Sequence, residues 1–198
     1  VHSELLRRPG KLYVLASHFH PDHFNKEVLQ WREQRPDIIY IFSKDILRHR
    51  RAQKEDAVWL KKGEEYKDET LSVRAFGSTD VGVSFLLQAS GKKIFHAGDL
   101  NNWHWMDEST EAEWKGAEKN FLHELDDLYA YTPEVDVAMF PVDPRLGKEY
   151  MRGAGQFVTK IKTHIFVPMH FTPEYAKANA FRDFAEAHGV RFVSLTHR

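Results

Sequence analysis

The segment His18-Phe19-His20-Pro21-Asp22-His23 restricts the fold of this chain more than any other stretch. It follows Leu12 to Ala16 (LYVLA), a short apolar run that reads as a buried strand. His18 and His20, two apart directly after that strand, can project to one side. Asp22 and His23 lie in the turn that follows and can bring a carboxylate and a third imidazole to the same point. Four nitrogen or oxygen ligands within six residues are more than one metal ion takes from one loop. The segment therefore favours two adjacent ions that divide the ligands. A single histidine here would be assigned to capping a backbone group; the cluster is not.

The rest of the chain alternates strands with helices, so the motif sits in an α/β framework. Asn25 is placed to cap a helix over KEVLQWREQ, with Val28, Leu29 and Trp31 on one face and Pro36 closing it. Asp37 to Phe42 (DIIYIF) is the next strand, and Ser43 is expected to cap a helix through Ile46 and Leu47. Asp56 to Glu69 reads as loop plus a short strand. Leu71 to Phe76, Val81 to Gln88 and Lys93 to His96 form a meander of strands with a turn at Gly91-Lys92. A long helical stretch follows from Glu108 to Tyr131, with Trp114, Phe121, Leu125 and Leu128 near one face. Val135 to Phe140 and His164 to Pro168 are strands separated by a helix over roughly Tyr150 to Lys162. Pro173 opens a last amphipathic helix to His188, before a strand at Val190 to Leu195. With 198 residues and no internal repeat or linker, one domain over 1–198 is expected.

Two distant positions add ligands. Phe95-His96-Ala97-Gly98-Asp99-Leu100 places an aspartate after a strand and a glycine, where the backbone can approach a ligand closely. Val167-Pro168-Met169-His170-Phe171 places a histidine at the end of another strand. Strand ends are where sites of sheet-based folds gather. Cysteine is absent, so thiolate metal sites and disulfides are excluded and any metal must be held by imidazoles and carboxylates. Such ligands suit zinc, and also manganese or iron.

With these residues in view, the chain resembles the metallo-β-lactamase superfamily. The likeness rests on H-x-H-x-D-H (His18 to His23), the Gly98-Asp99 pair and the late strand-end His170, and it spans most of the chain. The segments IFHAGD, DVAMFPVD and IFVPMHF are similar in tone to the L-ascorbate-6-phosphate lactonase-like hydrolase branch. The resemblance implies an αββα sandwich with a dinuclear site on one edge. Carried onto this chain, His18 and His20 would bind the first metal, Asp22, His23 and His170 the second, and Asp99 would bridge them. Two departures stand out. Where the family supplies a further histidine, this chain has Phe76-Gly77-Ser78-Thr79-Asp80, which leaves Ser78, Asp80 or His104 as the replacement. Only seventeen residues precede His18, so the first sheet is expected to be short, through truncation or a missing segment.

Other residues are read more locally. His96 is a candidate for orienting Asp99 from outside the ligand set. Asp143 and Arg145 are read first as a loop ion pair that could reach the pocket. Lys148, Tyr150 and Arg152 are candidates for binding an anionic substrate group. Trp103, Trp105 and Trp114 are read as core aromatics.

The expected activity is hydrolysis of a lactone, ester or phosphoester by water activated between two divalent metal ions, zinc first among them. Asp22 is the expected catalytic carboxylate, and His104 the candidate for protonating the leaving group. A nuclease of the same fold and a non-catalytic metal-binding protein are the competing readings. Net charge of -1, from 28 basic and 29 acidic residues, argues against a nucleic-acid partner. The short basic run Arg48-His49-Arg50-Arg51 lies in a mixed-charge stretch and reads as a solvated face. No apolar run reaches the ~18 residues of a membrane span, so no membrane partner and a cytoplasmic location are expected.

Overall fold

The apolar runs become strands that assemble into two sheets. The computed structural model describes residues 2–171 and 173–196. Strands β1 (Tyr13–Ala16), β2 (Ile39–Ser43) and β3 (Val58–Leu60) form a parallel three-stranded sheet in that order. The second sheet has seven strands in the order β10-β9-β8-β7-β6-β5-β4. Its members are β4 (Glu65–Lys67), β5 (Ser72–Phe76), β6 (Ser84–Ala89), β7 (Lys92–His96), β8 (Glu134–Pro141), β9 (Lys162–Met169) and β10 (Arg191–Phe192). From β4 to β7 the sheet is an antiparallel meander; the turn-punctuated sequence predicts its β5 to β7 part, and β4 joins it from the stretch read as loop plus a short strand. From β7 to β10 it is parallel, because helices intervene between those strands.

Side-chain alternation sets up four layers. Ile41 and Leu60 of the small sheet meet Val73, Ala75 and Phe85 of the large one between the sheets. On the outer face of the small sheet, Tyr40 and Phe42 pack with Phe24 and Ile46. On the outer face of the large sheet, Leu86, Phe95, Phe140 and Phe166 pack under the helices. Those helices come after α1 (His2–Arg7) and α2 (Lys44–Arg48) in the chain and include α3 (Glu111–Tyr131), contributing Phe121, Leu125 and Leu128, and α4 (Arg152–Lys160), contributing Phe157. The result is the expected αββα sandwich. The small sheet leaves the inner face of β7 to β9 partly uncovered: Ile94, Val137, Met139, Ile165 and Val167 are all only half-buried.

Several boundaries differ from the sequence reading. Lys26–Glu33 is a 3₁₀ helix rather than an α-helix, although Asn25 does cap it, accepting from the Glu27 N–H at 3.0 Å. Ser43 precedes the short helix at Lys44–Arg48 without a side-chain cap bond. The expected last helix is two, Tyr175–Asn179 and Arg182–Ala187. The turn between them tightens to an i→i+3 bond from Phe181 N–H to Ala178 O, and Phe181 is driven fully into the core against Phe166. Helix α3 begins at a capping box in which Thr110 and Glu113 satisfy each other's backbone N–H groups. Among the described residues no helix is long and apolar enough to cross a membrane.

Candidate metal centre

Parallel strands bring their carboxyl ends to one edge of a sheet, where ligand sites form. β1 runs out into Ser17 and His18, β7 into Gly98 and Asp99, β8 into Asp143, and β9 into His170. The turn after β7 depends on a glycine: Gly98 has φ of +56°, and a Cβ there would stand 2.8 Å from Ser17 Cβ and 2.9 Å from Val83 O. That close approach lets Asp99 reach across to the loop after β1.

Two groups of ligand atoms result, His18 with His20 and Asp99, and Asp22 with His23 and His170. Asp99 is buried and its two oxygens face different partners. Oδ2 lies 3.2 Å from His18 Nε2, whereas Oδ1 lies 3.0 Å from His23 Nε2 and 3.3 Å from His170 Nε2. Asp22 Oδ2 is 3.4 Å from His23 Nε2. The structure thus brings together His18, His20, Asp22, His23, Asp99 and His170 from three separate stretches of chain.

The surroundings orient the imidazoles. Ser17 Oγ lies 3.0 Å from His18 Nδ1 and 3.4 Å from His23 Nδ1. His170 Nδ1 lies 2.9 Å from Asp143 Oδ2, and a carboxylate on one ring nitrogen leaves the other free to ligate. Asp143 also takes a two-pronged bond from Arg145, with Nε to Oδ1 at 3.0 Å and Nη2 to Oδ2 at 2.6 Å. Asp143 is therefore both the ion-pair partner that the sequence suggests and the residue that orients His170, which sequence reading alone misses. The signal was its place directly past a strand end.

Charge follows this geometry. Burial pushes Asp99 upward, but the His18 and His23 imidazoles outweigh it and hold the carboxyl well below the usual range. Burial likewise acts on Asp143, and the His170 and Arg145 donors still bring it down to about 2. The Asp143 bond raises His170 against the effect of burial.

Other expectations resolve differently. His104 is buried away from the ligands, with Nε2 3.1 Å from Glu149 O and Nδ1 accepting from Met106 N–H at 3.1 Å. Both ring nitrogens are engaged with backbone, and His104 is neither in the two ligand groups nor in the lining of the cavity beside them. His96 acts on backbone rather than on the Asp99 carboxylate: its Nδ1 accepts from Gly98 N–H at 3.1 Å. Burial lowers it to about 4. Arg152 pairs with Glu118 at 2.7 Å and Tyr150 donates to Lys177 O at 3.0 Å, both on the helical side. Trp103 and Trp105 stack 6.3 Å apart and wall a cavity of about 240 Å³ with Thr79, Asp80, Asp99, Arg145 and His170. They are pocket wall rather than core, and Trp103 also donates to Asp99 O at 2.8 Å.

The residues fit divalent metal ions. His18 Nε2 and Asp99 Oδ1 are buried without a hydrogen bond, although each has ligand-type atoms near it. Ligands held at about 2.0–2.2 Å by one tetrahedral ion lie roughly 3.3–3.6 Å apart, close to the 3.0–3.4 Å separations here.

Comparison with known proteins bears on the fold and the family of the chain. No curated protein matches the chain. Among solved structures it is similar to a Parabacteroides distasonis protein provisionally described as a metal-dependent hydrolase, at 16% identity and a TM-score of 0.60, covering 96% of this chain and 78% of that one. It is also similar to the metallo-β-lactamase fold protein YhfI from Bacillus subtilis, at 12% identity and TM-score 0.59, covering 92% and 75%. CmlA, a diiron β-hydroxylase from Streptomyces venezuelae, shares 14% identity at TM-score 0.59, with 91% of this chain and 43% of that one covered. At these identities the likeness is one of fold. The model of the β-lactamase superfamily domain matches residues 4–171, and the chain belongs to that family.

Proposed function

We propose that this chain is a hydrolase that acts on a small lactone, ester or phosphoester with two divalent metal ions, zinc being the first expected and manganese or iron suited to the same ligands. The observation that carries the reading is the divided Asp99 carboxylate, one oxygen toward His18 and the other toward His23 and His170. Ions held there would lower the pKa of water and polarise a carbonyl or phosphoryl oxygen.

The chain's own residues supply the remaining chemistry. Asp22, whose side chain is 67% exposed beside His23, orients the attacking water. Asp143 holds His170 in place through Nδ1. Trp103 and Trp105 exclude water from one wall, and Arg145 offers a cation at the rim for a substrate carrying negative charge. A cavity of about 240 Å³ suits a small molecule rather than a polymer. The lactonase-like branch is proposed on the likeness of IFHAGD, DVAMFPVD and IFVPMHF alone.

The test is elemental analysis of the purified protein with a hydrolase screen over lactones, esters and phosphoesters. Asp22→Ala and His170→Ala are each expected to lower kcat/KM by more than the ~10–100-fold that residues outside a ligand set cost. Each should also release at least one equivalent of metal. Retention of full activity and full metal content in both variants overturns the proposal.

A further inference from the structure

The group around His18 and His20 has one terminal ligand fewer than its neighbour. Beside the shared Asp99, the second group has two imidazoles and the Asp22 carboxylate, whereas the first has two imidazoles only. We propose that Asp80 completes the first group, so that each ion receives two histidines and one aspartate of its own and shares Asp99. This rests on the metal-centre reading above.

Three observations bring Asp80 within reach of that group. Its Oδ2 lies 3.9 Å from His20 Nδ1. Ligands of one tetrahedral ion lie roughly 3.3–3.6 Å apart, so a shift of a few tenths of an ångström in this exposed side chain lets one ion take the pair. Asp80 also lines the same cavity as Asp99 and His170. Finally, its loop is tied to the Asp99 turn: Thr79 Oγ1 donates to Asn101 O at 2.6 Å and accepts from Asn101 N–H at 3.0 Å.

The alternatives are committed elsewhere. His104 spends both nitrogens on backbone, and Ser78 Oγ accepts from the Asp80 N–H at 3.4 Å. The Asp80 carboxylate itself, 47% exposed, has His20 as its partner among the described residues. Turning it inward breaks no other bond. A carboxylate in this position gives the first site an oxygen donor where a third imidazole would give nitrogen, which widens its tolerance from zinc to manganese or ferrous iron.

The test is zinc titration of metal-free protein by calorimetry, with elemental analysis after desalting, on the wild type, Asp80→Asn and Asp80→His. The wild type is expected to bind two equivalents. Asp80→Asn should keep one and weaken the other by about 100-fold or more, beyond the effect of an outer partner. Asp80→His, uncharged but able to ligate, should restore the second equivalent to within about 10-fold of wild type. Because Asp80 is exposed, the urea midpoints of all three metal-free proteins should agree. If Asp80→Asn binds as wild type does, whether two equivalents or one, Asp80 is not a ligand. If Asp80→His is as weak as Asp80→Asn, the residue acts only through its charge and the proposal falls. A wild type that binds no zinc overturns the metal centre itself.

Discussion

His170 has positive φ, +62°, which a non-glycine residue adopts only under constraint. The constraint comes from its neighbours. Asp143 holds Nδ1 at 2.9 Å, Trp103 meets the ring edge-on at 5.5 Å, and Nε2 is left facing Asp99. Asp143→Asn keeps the shape but removes the charge that orients the ring, so affinity at the group containing His170 should fall by about 10–100-fold. Calorimetric zinc titration reads this, and unchanged affinity would show that Trp103 and the backbone suffice. The same logic covers Ser17, which contacts His18 and His23 from the strand end.

One carboxylate of helix α3 ties it to two neighbouring segments at once. Glu118 accepts from Arg152 at 2.7 Å, from Asn102 at 3.3 Å and from Gln156, linking α3 to α4 and to the segment after Asp99. The Arg152 guanidinium leads in holding its pKa below the ordinary value, against burial. A depressed carboxylate stabilises the fold above its unfolded pKa, and that contribution is lost as pH falls through the folded value. Glu118→Gln should therefore lower unfolding free energy at pH 7 by about 1.5–3 kcal/mol, the range for hydrogen bonds to charged groups. The gap should begin to shrink near the unfolded value of about 4.3 and close below the folded one. Urea unfolding of both proteins at pH 7 and about pH 3 tests this; an equal gap at both would refute the ion-pair account.

Across the whole molecule, the ligands join the two sheets. His18, His20, Asp22 and His23 follow β1 of the three-stranded sheet, whereas Asp99 and His170 follow β7 and β9 of the seven-stranded sheet. Bound ions would add a cross-link between layers that already meet through the inner core around Ile41, Val73 and Phe85 and through bonds such as Tyr13 Oη to Asp68 Oδ2 at 2.7 Å. Binding to the folded state alone stabilises by mass action, about 2.7 kcal/mol at a free concentration 100 times Kd. Zinc should raise the thermal midpoint and a chelator should lower it, as followed by scanning calorimetry. A midpoint indifferent to both would mean that the sheets are not bridged.

The ligand types and most of the framework were legible in the sequence for a local reason. Strand periodicity, turn residues and the spacing of His18 to His23 are set by backbone geometry within a few residues. The meander from β5 to β7 belongs to the same class. Tertiary packing alone decided the rest. It buried Phe181 and thereby split the last helix, turned both nitrogens of His104 onto backbone, and set Asp143 behind His170. Those outcomes depend on which strand ends share a sheet edge, and spacing along the chain carries no record of distances across it. The opening motif determined that imidazoles and carboxylates would cluster; the sandwich decided that Asp99 would stand between them.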